Sequence, residues 1–217
     1  MNFVIVTYHY IDDERKYESG IYPVSPGRLS NQLDELGKCF KFISEDDLVN
    51  AIEGKTCLPE RSCLVTFDDG LKCQYDQAVP ILKSKGIPAV FYINTLPLNR
   101  SKACVVHKVH FLLTKMTTEV LLNKVIQYYD EFTGNGLEME KILGNMGKSE
   151  GIYDDDKTFK LKYLINSYLD SVLSEKIIEK FFGDYCGNER EFCEQLYMSK
   201  KQLLKINSLD LISVFVS

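Results

Sequence analysis

The chain opens on an apolar, β-branched run, "FVIVTY" at residues 3–8, which predicts a short strand buried in a sheet. After a loop the period changes. In "SPGRLSNQLDEL", Leu29, Leu33 and Leu36 fall on one helical face, Ser25 stands where a cap is needed, and Pro26 suits the first helical position. "CFKFIS" predicts a second short strand. "SEDDLVNAIEG" predicts a second helix, capped by Ser44, acidic in its first turn and followed by Gly54. The pattern then repeats. "SCLVTF" at 62–67 is a third strand, "YDQAVPILKSKG" a helix around Pro80 that stops at Gly86, and "IPAVFYIN" at 87–94 a fourth strand. Alternation of this kind predicts parallel strands joined by crossover helices. In such sheets ligands gather at the carboxyl ends of the strands.

The alternation stops after Asn94. In "TTEVLLNKVIQYYDEF", Val120, Leu121, Val125, Ile126 and Tyr129 recur at helical spacing. "TFKLKYLINSYLDSVLSEKIIEKFF" is a long amphipathic stretch, read as one helix or as two broken near Ser174. No strand pattern interrupts it, which predicts a helical insertion at about 104–190 within a single domain spanning 1–217. "YMSKKQLLKI" then reads as a new helix with a capping box, Ser199 at the cap and Gln202 at the third position. The last ten residues, "SLDLISVFVS", are apolar and β-branched.

Composition narrows the function classes. The net charge of −5 gives no global basic field for nucleic acid. No apolar run approaches the roughly 20 residues that span a bilayer. The start "MNFVIVTYHYIDDE" lacks a basic leader region, so a cytoplasmic location without a signal peptide is expected. Seven cysteines are scattered with no C-x-x-C pair, which points to reduced thiols rather than disulfides or a cysteine zinc module. Thirteen tyrosines are present, and "YYDEF" and "FFGDY" fall at helical spacing and read as core packing. "GNGLEMEKILGNMG" lacks the preceding strand of a dinucleotide loop, and the acidic run "YDDDK" at 153–157 reads as solvated. Nothing in the pattern sets an oligomeric state.

The candidate chemistry sits where the third strand ends. "LVTFDDGLKC" places Asp68 and Asp69 side by side after a buried run, followed by Gly70. A solvated turn would account for the pair, and so would a metal site with further ligands. His9 follows the first strand and supports two readings, a satisfied loop histidine or a contact to substrate at the same mouth. His107 and His110, in "HKVH", share a helical face among apolar neighbours, a structural pair or a metal pair.

The stretch Leu58 to Thr95 resembles the first signature block of the polysaccharide deacetylases of the NodB-homology type, carbohydrate esterase family four. "TFDDG" at 66–70 matches that motif at all five positions, and the rhythm A-x-P-I-L-x-x-x-G-I-P-A-x-F follows it. "VTYHYI" resembles the family's first-strand YH segment, and "LYMSKKQLLKI" the helix before its second signature. The resemblance implies an irregular (β/α) barrel, here incomplete, with a helical insertion. It implies metal-dependent removal of N-acetyl groups from a polysaccharide or glycan precursor. Asp68 would be the general base and Asp69 a ligand of a divalent metal, usually zinc. A metal lowers the pKa of its bound water and a second carboxylate takes the proton, so the chemistry uses both acids. The family's other two ligands are histidines in an H-[ST]-x-x-H motif. No histidine follows His110 here, and the chain stops where that motif is due. The expectation is therefore an incomplete metal site, a truncated or frameshifted product, and an exposed apolar edge.

Overall fold

The third strand, β3 (Arg61–Phe67), is buried at every position after Arg61, as its unbroken apolar run requires. A computed structural model describes residues 2–17, 19–137 and 156–216. In it β1 (Asn2–Tyr8) pairs with β3 along its whole length, in register from Asn2↔Arg61 to Tyr8↔Phe67. The other edge of β3 is shared. β2 (Lys41–Phe42) takes its start at Ser62 and Cys63, and β4 (Ala89–Ile93) takes its end at Val65 to Phe67. β5 (Ile212–Val216) pairs with β4, and all four ladders are parallel. The acidic stretch 153–155 and residues 138–147 of the glycine-interrupted segment lie outside the described residues.

The chain divides into two compact units, Met1–Tyr17, Tyr22–Ala103 and Glu189–Ser217 in one, Glu18–Ile21 and Cys104–Asn188 in the other. In the first unit, α1 (Pro26–Cys39), α3 (Val79–Lys85) and α10 (Lys200–Asn207) cover one face of the sheet. Leu29 and Leu33, Val79 and Leu82, and Leu203 and Ile206 meet Val65, Phe67, Phe91 and Ile93 there. Ser25 caps α1 by accepting the Arg28 N–H, and the capping boxes at Ser44 and Ser199 start α2 (Glu45–Ile52) and α10. On the opposite face a smaller cluster of Ile43, Leu64 and Val90 packs with Leu48 of α2. Ile5, Tyr92 and Phe215 share that face by register and remain 55%, 44% and 42% exposed. Parallel strands with helices along one side give the wall of a (β/α) barrel. Short helices α4 (Leu96–Arg100) and α9 (Glu189–Leu196) and a 3₁₀ turn at Glu14–Lys16 complete the described helices of this unit.

Two helical readings shift. Pro80 does not sit inside one regular helix: residues Gln74–Ala78 form a wide turn with bonds one residue longer than the α pattern, and α3 begins at Val79. Proline has no N–H and its ring crowds the carbonyl four residues back, which forces the wider spacing. In the second unit, α7 (Asp156–Tyr163) runs into a similar turn at Leu164–Tyr168, and the break falls at Leu169–Asp170 rather than near Ser174. Asp170 caps α8 (Ser171–Cys186) through the N–H groups of Val172 and Leu173, whereas Ser174 is buried and donates its hydroxyl to Ile165 O at 2.9 Å. α5 (Val105–Leu113) and α6 (Thr118–Thr133) pack on α8, with Phe111 against Phe182 and Tyr128 against Phe181. Among the described residues no helix is long and apolar enough to cross a membrane.

Candidate functional site

The β1–β3 ladder ends at Tyr8↔Phe67, and the Asp68 N–H extends it by one bond to Tyr8 O at 3.0 Å. His9 and Asp68 are therefore the next pair across the two strand ends. Their side chains face each other, with His9 Nε2 3.7 Å from Asp68 Oδ2 and exposures of 54% and 38%. That separation is too long for a direct hydrogen bond and within the range over which charges influence one another. Partial burial pushes the Asp68 carboxyl above its ordinary value; His9 works against that shift and the adjacent Asp69 adds to it.

The turn after Asp68 is strained in a way its residues tolerate. Asp69 (φ 76°) and Gly70 (φ 69°) are both left-handed, so the chain leaves the sheet within two residues. Aspartate is among the few side chains that visit this region, and glycine does so freely. A Cβ on Gly70 would also lie 3.1 Å from both Cδ1 and Cγ2 of buried Ile93. The turn is held from outside: Met198 N–H donates to Gly70 O at 2.9 Å, and Tyr197 bridges Leu71. The "YMS" segment thus fastens the "DDG" turn. Inside it, the Gln74 amide donates to the carbonyls of His9 and Asp68.

The loops after β1 and β3 also line an open cleft of about 310 Å³ with Asp12, Lys16, Tyr17, Lys72, Cys73 and Asp76 on its walls. Asp12 is its hub, accepting from Lys16 Nζ at 2.7 Å, Tyr17 OH at 2.9 Å and the Asp13 N–H at 2.8 Å. Burial pushes the Cys73 thiol to about 11. At pH 8 the thiolate fraction should then be ~100-fold below that of an unperturbed thiol. Iodoacetamide labelling read by peptide mass mapping is expected to modify exposed Cys39 and Cys57 first and Cys73 far more slowly. Equal rates would contradict the burial of this wall. Cys39, Cys57, Cys63 and Cys73 carry free thiols.

Of the residues singled out from sequence, Asp68, Asp69 and His9 come together at one mouth. Pattern reading left His9 undecided; the signal for it is the register Tyr8↔Phe67, which aligns the two strand ends. His107 and His110 lie on α5 in the second unit, with ring centroids 6.0 Å apart and His107 buried. Among the described residues, no group of three or more His, Cys, Asp or Glu side chains could hold a metal ion. A catalytic zinc takes three protein ligands. Asp69 supplies at most one, so a resident divalent metal does not fit the described donor set.

Residues 55–118 match the polysaccharide deacetylase family. No curated protein matches the chain. Among solved structures, a de-N-acetylase from Aggregatibacter actinomycetemcomitans is 31% identical over 42% of this chain and 37% of its own, with a TM-score of 0.36. IcaB from Ammonifex degensii is 31% identical over 42% and 38%, with a TM-score of 0.38. The Streptococcus pyogenes deacetylase PplD, in complex with acetate, is 17% identical over 63% and 71%, with a TM-score of 0.39. The chain thus spans well under half of the first two relatives.

Proposed function

We infer, from a polysaccharide deacetylase segment whose strand delivers Asp68 opposite His9, that this chain hydrolyses N-acetyl groups on a polysaccharide or glycan precursor. The facing pair is the observation that carries the reading. Amide hydrolysis needs a base to take a proton from water and an acid to give one to the departing nitrogen. A carboxylate with a raised pKa and an imidazole 3.7 Å away are suited to those two tasks. Asp68 would accept the proton from water at its carboxylate. His9, more exposed and on the neighbouring strand end, would hold the proton that the amine leaves with. Asp69 would be this chain's one ligand to a divalent metal, and no step here is routed through such an ion. The test is acetate release from N-acetylglucosamine oligomers by the purified chain; none above a blank would remove the reading.

A second reading, a chain that keeps the base without a competent metal centre, is favoured by the donor set, one candidate ligand where three are needed. Zinc below one ion per chain after dialysis is expected from that set, read by elemental analysis. One tightly held zinc per chain would show that residues outside those described complete the centre. Acetate release separates the two readings.

A further inference from the structure

Gln74 is wholly buried in the wide turn that follows the acidic pair. Its Nε2 donates to His9 O at 2.9 Å and to Asp68 O at 2.6 Å. Those carbonyls belong to the two residues whose side chains face each other across the mouth. A primary amide carries two hydrogens, so each carbonyl can take its own. The other end of the side chain is different: Oε1 is buried and has no hydrogen-bond partner. An orphaned buried acceptor is unfavourable, and Leu or Met would fill the same space without one. The position therefore uses the donor half of the amide. Glutamate has no donor when ionised, and asparagine is one methylene shorter.

We propose that Gln74 is a positioning residue, its amide joining the His9 and Asp68 backbones beyond the last ladder bond and so fixing the imidazole against the carboxylate. The catalytic consequence rests on the hydrolase reading of that pair; the clamp itself does not. Without it, Asp68 N–H to Tyr8 O is the nearest backbone bond between the two strand ends, and the carbonyls of His9 and Asp68 lose their shared anchor. A shift of about an ångström at a reacting pair can cost roughly 10²-fold in rate.

The experiment is NMR on the labelled full chain, followed by kinetics. Only three histidines are present, so His9 is assigned by the resonance missing from His9→Gln. In the parent, the Gln74 side-chain amide protons should exchange slowly with solvent. In Gln74→Met, the His9 imidazole and Asp68 amide resonances should move while those of His107 and His110 stay. The kcat for acetate release should fall by roughly 10²-fold with KM within about twofold, and Gln74→Asn should recover part of it. Unmoved His9 and Asp68 resonances in folded Gln74→Met would overturn the proposal. So would fast exchange of the Gln74 amide in the parent, which requires no variant. A parent chain that releases no acetate, with the resonances moved as expected, supports the clamp and removes only the hydrolase reading.

Discussion

Asp68→Asn is expected to lower acetate release by ~10²–10⁴-fold while leaving the melting temperature unchanged or slightly raised. Asparagine keeps the size and hydrogen-bonding outline of the side chain but cannot take a proton from water. The stability half follows from the sign of the shift. Partial burial raises the Asp68 pKa, so the folded state disfavours the ionised form. An acid of that kind weakens the fold as pH rises through its folded pKa, and a neutral amide escapes the penalty. The same shift sets a pH signature. The rising limb of the parent's rate should be displaced upward in pH from where an unperturbed aspartate would put it, and Asp68→Asn should lack it. A variant within about threefold of the parent rate would show that Asp68 is not the base. Loss of activity together with loss of fold would not fit either, since the Asp68 carboxylate is 38% exposed and its N–H bond to Tyr8 O survives the change.

Much of the first unit was legible because its elements carry one-dimensional signatures. Buried parallel strands are continuous apolar runs, and "FVIVTY", "SCLVTF" and "IPAVFYIN" read as such before any pairing is known. Ser25, Ser44 and Ser199 announce helix starts because a cap is local chemistry. Asp68 and Asp69 were legible from the motif that contains them. What the pattern could not give is whatever depends on a distant partner. His9 meets Asp68 only because β1 and β3 pair in one register, a contact between segments far apart in sequence. Gln74 carries no signal in the sequence; its two hydrogen bonds, to His9 O and Asp68 O, exist only in the folded turn. The helix break moved from Ser174 to Asp170 for a related reason. Both residues can cap, and burial of Ser174 against Ile165 decides between them. Helix α9 does carry Phe192, Cys193 and Leu196 at helical spacing, but in eight residues that run is too short to stand out.

The largest loss of stability is expected from Phe67→Ala. Phe67 is the last residue of β3 and is fully buried, with its ring between Tyr8 at 5.5 Å and Phe91 at 4.7 Å. The three rings come from adjacent strands, so the stack ties β1, β3 and β4 together at the end that carries the site. Truncation removes the ring's burial, leaves a cavity and breaks both ring pairs, which costs about 3–5 kcal/mol. A domain holds only about 5–15 kcal/mol in total, so this one change consumes much of it. Native-state hydrogen exchange reads the effect strand by strand. Amides of β1 and β3 should lose protection by roughly 10²- to 5 × 10³-fold, and Phe67→Leu should recover part of it by keeping an apolar group in the gap. Protection unchanged within about threefold would mean that the stack does not hold the strand ends. The same variant also probes the site, because Asp68 follows Phe67 directly. Loosening the β3 terminus should widen the His9–Asp68 gap and lower acetate release even in the fraction that stays folded.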